Sequence, residues 1–95
     1  MIAEIQCLPT PSGRPDDRHA HVEAAIAVIQ AAGLHHEVGA LGTTVEGDPD
    51  EVWAVLRAAH EACLAAGAER AVTVIKVAEA PAGGLAMDDL TAKFR

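Results

Sequence analysis

An α+β fold, with a four-stranded antiparallel sheet, two helices on one of its faces and a short C-terminal helix, is predicted by three features of the sequence. Short alternating or β-branched runs recur along the chain, longer stretches with helical apolar stripes separate them, and Gly or Pro marks the junctions. In chain order these read β-α-β-β-α-β plus a tail, the split βαβ of a ferredoxin-like sandwich. Residues 1–95 are long enough for one such domain, with a modest core.

The first strand is "IAEIQCLP", residues 2–9, with Ile2, Glu4, Gln6 and Leu8 on one face and Ala3, Ile5 and Cys7 on the other. "TPSGRPDD" ends it. A helix from about His19 to Ala32 follows, striped by Val22, Ala25, Ile26, Ile29 and Ala32, with Asp16 or Asp17 as cap and Gly33 as stop. "LHHEVGAL" and Thr43–Glu46 are two strands in so tight a connection that an antiparallel hairpin or a bulged, bent pair is expected. The second helix spans Pro49 to Ala66, turns Val52, Leu56, Ala59, Cys63 and Ala66 inward, and stops at Gly67. "ERAVTVIKVAE" is the fourth strand and the most β-branched run of the chain. After "APAGG", Met87, Leu90 and Phe94 share one face of a short amphipathic tail.

The fourth strand is apolar on both sides, with Val72 and Val74 on one and Ala71, Ile75 and Val77 on the other. A strand wetted on one face carries a polar set, so the open face of the sheet is expected to be covered by another subunit. The core composition agrees, being rich in Ala with one Trp, one Phe and no Tyr. Association is an ordinary remedy for such a small core.

Charge and composition exclude several classes. A net charge of −7 and a pI near 5.0 oppose binding to nucleic acid or an anionic membrane and suit a cationic ligand. No apolar run approaches a membrane span, and no signal peptide is visible in "MIAEIQCLP". Cys7 and Cys63 form no disulfide framework and read as reduced thiols of a cytoplasmic protein.

The stretch "GTTVEGDPDEVW", Gly42 to Trp53, looks like a phosphate cradle but lacks the Lys followed by Ser or Thr that such a loop requires. Local physics accounts for most of its acids. Asp48 before Pro49, with Glu51 three residues on, reads as an N-cap, a Pro at the first helical position and a capping-box acid. Asp50 complements the helix dipole. Glu46 is left over, either a solvated strand-end acid or a ligand contact, beside the hydroxyls of Thr43 and Thr44.

Elsewhere the polar residues admit two readings. Glu4 and Gln6 share a face of the first strand, and Lys76 interrupts the fourth; they form structural pairs or line a pocket. His60, near the apolar stripe of the second helix, is a satisfied imidazole or a ligand contact, and Trp53 is packing or contact surface. No metal site is expected. His19 and His21 face different directions on a helix, His35 and His36 opposite faces of a strand, and no further ligand completes a tetrahedral set. Cys7 has no His partner in sequence to make it a nucleophile.

The run "GTTVEGDPDEVWAVLRAAHEACLAAGAERAVTVIKV" resembles the signature of the small thiamine-binding proteins, and the resemblance extends through "AEIQCLP", the first helix and "GLHHEVGALGT", covering residues 2 to about 78. Its most specific part is Gly42-Thr43-Thr44-Val45-Glu46-Gly47 followed by a capped helix containing His60. The chain departs from the family at "VAEAPAGG", where an Asp and an Arg are common, and at His36, where an aromatic is common. The resemblance implies a ferredoxin-like domain that assembles through its sheets as a dimer or tetramer. It further implies non-catalytic binding of thiamine or a related pyrimidine, with thiamine as ligand and no cofactor. The expected ligand contacts are Glu46, Thr43, Thr44, His36, Gln6 and Lys76. An acidic pocket with hydroxyls suits both the cationic thiazolium and the aminopyrimidine. The rivals are a small cofactor-free enzyme using His36 or His60, and a structural or regulatory module that binds a protein through the tail helix.

Overall fold

Each alternating stretch forms a strand and each striped stretch a helix. The computed structural model describes residues 1–95, in the order β1 (Ile2–Thr10), α1 (Ala20–Ala32), β2 (His35–Val38), β3 (Thr43–Glu46), α2 (Pro49–Ala65), β4 (Arg70–Ala78) and α3 (Met87–Thr91), followed by a 3-10 turn over Ala92–Phe94. The sheet is wholly antiparallel with strand order β2-β3-β1-β4. This is the ferredoxin-like arrangement, with β1 inside the sheet between β3 and β4.

The two sides of β1 are unequally served. On one side β4 pairs with all nine residues, Ile2↔Ala78 to Thr10↔Arg70. On the other β3 pairs only with Ile2–Ile5, ending at Ile5↔Thr43. The chain leaves the sheet there because β2 and β3 meet in a tight hairpin, with Gly39 N–H donating to Gly42 C=O across Ala40 and Leu41. Gly42 lies close against β1: a Cβ on it would stand 3.2 Å from the Ile5 carbonyl oxygen. The second strand is therefore shorter than the run "LHHEVGAL", and the first extends through Thr10, with Pro9 buried.

α1 and α2 cover the face carrying Ala3, Ile5 and Val45. Ala25 and Ile29 from α1 meet Val52, Leu56, Ala59 and Cys63 from α2 in one apolar cluster. The α2 stripe is as expected through Cys63, with Val55 added. In α1, Ala32 lies outside the core and His21 within it, its Nδ1 2.7 Å from the Pro11 carbonyl oxygen. Gly33 ends α1 in the left-handed conformation (φ 74°), which its missing Cβ makes easy.

Both expected helix caps differ from the sequence reading. His19, not Asp16 or Asp17, stands at the N-cap of α1, and it makes no side-chain cap bond. Asp48 does precede Pro49 at the N-cap of α2, but its carboxylate accepts no cap hydrogen bond. Its benefit is reduced to charge against the helix dipole.

Two stability measurements follow. Leu56→Ala, at a fully buried site where α2 meets the sheet, is expected to cost about 2–5 kcal/mol in denaturant melts. Asp48→Ala is expected to cost about 0.3–1 kcal/mol, the dipole contribution without a cap bond.

Candidate functional site

The alternation of β3 divides the Thr-Thr-Val-Glu motif between the two faces of the sheet. Thr43 and Val45 are buried on the helix side, whereas Thr44 and Glu46 belong to the open face. A cavity lies on each side of the sheet beside the β2–β3 hairpin, and residues Gly39–Gly42 line both. The helix-side cavity, about 240 Å³, is apolar; Ile5, Cys7, Val22, Ile26, Ile29 and Thr43 contribute to it. The open-face cleft, about 380 Å³, is polar, with Glu4, Glu37, Thr44, Met87, Thr91 and Arg95 in its lining.

The tail closes one side of this cleft. It crosses the β2–β3 half of the open face, where Glu46 Oε2 accepts a 2.9 Å hydrogen bond from the Met87 amide. Arg95 Nη1 donates to Glu37 Oε1 at 2.6 Å, and His35 Nε2 lies 3.0 Å from Asp88 Oδ2. Met87 is buried, but Leu90 and Phe94 are exposed, so the expected three-residue apolar face docks through one residue. The remaining hold is polar, a signal that apolar periodicity does not carry. The His35 side chain is about half exposed, and its pKa is raised above 6.5 by the hydrogen bond and charge of Asp88, with Glu46 and Glu37 adding to the field.

The other expected residues are dispersed. Lys76 Nζ is 3.8 Å from Glu4 Oε1, a solvent-exposed pair across the β1–β4 register and a weak one for that reason. Gln6, opposite Val74, borders the apolar cavity. His36 directs Nδ1 to the Leu34 carbonyl oxygen at 2.8 Å and lines neither cavity. His60 is satisfied by the Thr73 hydroxyl at 2.6 Å, and Trp53 is half-exposed. Cys7 sits beside Cys63, whose thiol is pushed up to about 11 by burial and then by its neighbour. Glu37 and Arg95 also line the cleft, although neither is among the contacts expected from sequence. Glu37 was legible, since it shares a face with Thr44 once the hairpin register is known. Arg95 reaches the site only through the tail.

The order and packing of these elements define a ferredoxin-like α+β protein with a polar cleft on the open face of its sheet. The chain belongs to the family of thiamine-binding proteins, whose pattern it matches over residues 3–95. The match thus continues through the tail, beyond the residues that carried the sequence resemblance. A UPF0045 protein of Clostridium perfringens is 32% identical over 74 residues, covering 78% of this chain and 77% of the relative. A Bacillus cereus structure described as a domain of unknown function, DUF77, superposes with a TM-score of 0.84 at 35% identity, covering 100% of this chain and 91% of the other. A Thermotoga maritima structure, provisionally described as a thiamine biosynthesis/salvage protein, gives a TM-score of 0.81 at 26% identity, covering 99% and 97%.

The His35–Asp88 pair makes tail docking pH-dependent. Because the folded pKa of His35 exceeds 6.5, the contribution of the pair is fully present below about pH 6.5 and is lost as pH rises through the elevated value. NMR titration should find His35 titrating above 6.5, and Asp88→Asn should bring it back toward that value.

Proposed function

We propose that the protein binds thiamine or a closely related thiazolium cation without transforming it, and that it does so as a homo-oligomer in the cytoplasm. The observation that carries this reading is the convergence of Glu4, Glu37 and the Thr44 hydroxyl on one cleft in a protein of the thiamine-binding family. Glu46 adds a third carboxylate nearby through its bond to the Met87 amide. Both cations already near the cleft, Lys76 and Arg95, are substantially exposed, so their pairs are weak and leave the carboxylates available to a ligand. A permanent cation with little hydrogen-bonding capacity of its own gains from such a field.

Catalysis is less well supported. Neither His36 nor His60 is joined to a carboxylate, their partners being the Leu34 carbonyl and the Thr73 hydroxyl. The His–carboxylate pair that does form, His35–Asp88, is exposed and anchors the tail.

Charge is tested by Glu4→Gln. At about 4–5 Å and an effective dielectric near 20, a carboxylate and a thiazolium attract by roughly 3–4 kcal/mol before desolvation. Desolvation removes much of this, so the variant is expected to lose about 1–2 kcal/mol of affinity for thiamine, or about tenfold, and little for the uncharged pyrimidine fragment. Calorimetry with both ligands decides the matter, and equal losses would contradict a charge role.

The oligomer is expected to use the part of the open face that the tail leaves bare, where Leu8, Val72 and Val74 are all exposed. Sedimentation at micromolar concentration should find a dimer or larger species. A 9.8 kDa particle that stays folded on dilution would remove the self-association.

A further inference from the structure

We propose that the tail is a tethered competitor of the ligand: docked, it places the Arg95 guanidinium in the acidic cleft as an internal cation, and a bound cation releases it. This rests on the reading of the open-face cleft as a cation site and adds the regulation of that site.

The charges of the cleft are balanced from within the chain. Glu4 and Glu37 are the carboxylates of its lining, and Arg95 is the cation of the same lining. Arg95 Nη1 donates to Glu37 Oε1 at 2.6 Å, whereas Lys76 reaches Glu4 from outside the lining at 3.8 Å. With both pairs made, each lining carboxylate is matched by one cation. The acidity that suits a ligand is therefore latent, and Arg95 holds the closer of the two pairs. A second cation brought against Glu37 would meet the guanidinium as a like charge. Ligand and docked Arg95 compete for one carboxylate.

The rest of the tail depends on neighbouring groups of the same face. The Met87 amide donates to Glu46 Oε2 at 2.9 Å, and Asp88 holds His35 at 3.0 Å, both on the strand pair that carries Glu37. Met87 is buried but Leu90 and Phe94 are exposed, so little apolar surface opposes release. The link from β4, residues 79–86, is open to solvent in its middle. A Cβ on Gly83 or Gly84 would meet nothing within 4 Å. Such a tether keeps a loose guanidinium at an effective concentration on the order of millimolar, which lets an exposed pair form again once the cation leaves. Each ion pair of the tail is half-exposed or more and worth up to about fivefold. The strap therefore weakens binding without abolishing it. Coupling is reciprocal, so a tail that lowers cation affinity is loosened by the cation in the same proportion.

The test uses the ¹⁵N-labelled full chain, thiamine as the cation, and the variants Arg95→Gln and Asp88→Ala. Arg95→Gln removes the internal cation and should tighten thiamine binding about threefold by calorimetry, within the range of an exposed pair. Asp88→Ala separates competition from simple field, because Asp88 is a negative charge outside the cleft lining. Field alone would make its loss weaken the binding of a cation. Release of the tail should instead tighten binding about twofold. Saturating the wild-type chain with thiamine should move the Met87 amide resonance upfield, as its bond to Glu46 is lost, and speed its hydrogen exchange about fivefold. That measurement needs no variant. Weaker binding by Asp88→Ala, or a Met87 amide that stays unmoved or exchanges more slowly on saturation, would overturn the competition and leave cation binding standing. Absence of thiamine binding in the wild type and in both variants would overturn the cation site itself.

Discussion

The architecture of this protein depends on where β3 joins the sheet. β1 has nine residues and β4 matches every one, but β3 supplies a partner for only four. The hairpin from which β3 starts is closed by a Gly39–Gly42 hydrogen bond, and Gly42 has no side chain to force it away from the Ile5 carbonyl. Backbone hydrogen bonding is an accounting that must close. A short strand leaves its longer neighbour with a deficit, and both cavities border the hairpin at that place.

The same strand gives the two cavities opposite chemistry. Residues of β3 alternate across the sheet, so one Thr of a consecutive pair enters the apolar side and the other the acidic side. On the helix side the walls come from the α1 stripe. On the open side they come from strand acids and from a tail held chiefly by Glu46, Glu37 and His35. A tail fastened by exposed polar contacts and one buried Met can leave more readily than a helix packed through a full apolar stripe, because opening it uncovers little apolar surface.

The element order, the strand faces and the inward stripe of α2 were legible in the sequence because periodicity records burial directly. The Gly-Thr-Thr-Val-Glu-Gly stretch was legible as unusual, and Glu46 stood apart from the acids of the following helix because it lies at the end of a strand, ahead of Gly47. What the sequence did not carry was register. Without it, Thr43 and Thr44 looked like one patch, and Glu37 had no reason to join them. The missing side-chain caps at His19 and Asp48 have a different origin, since a cap position can be occupied without its hydrogen bond being made. His21 was equally hidden. It sits in the core because Pro11, on a loop that returns from β1, provides its acceptor, and no helical stripe announces a loop carbonyl.

The burial of Cys63 has a practical side. With its thiol pushed up to about 11 by burial, Cys63 stays protonated at pH 7, and the thiolate is the species that reacts with electrophiles. Cys7, the other thiol of the chain, is only partly buried and borders the apolar cavity. A mild alkylating dye would therefore mark one position in this protein without any engineering, on the wall of a space a small molecule can fill, and the rate of that marking becomes a clock for how often the space is empty.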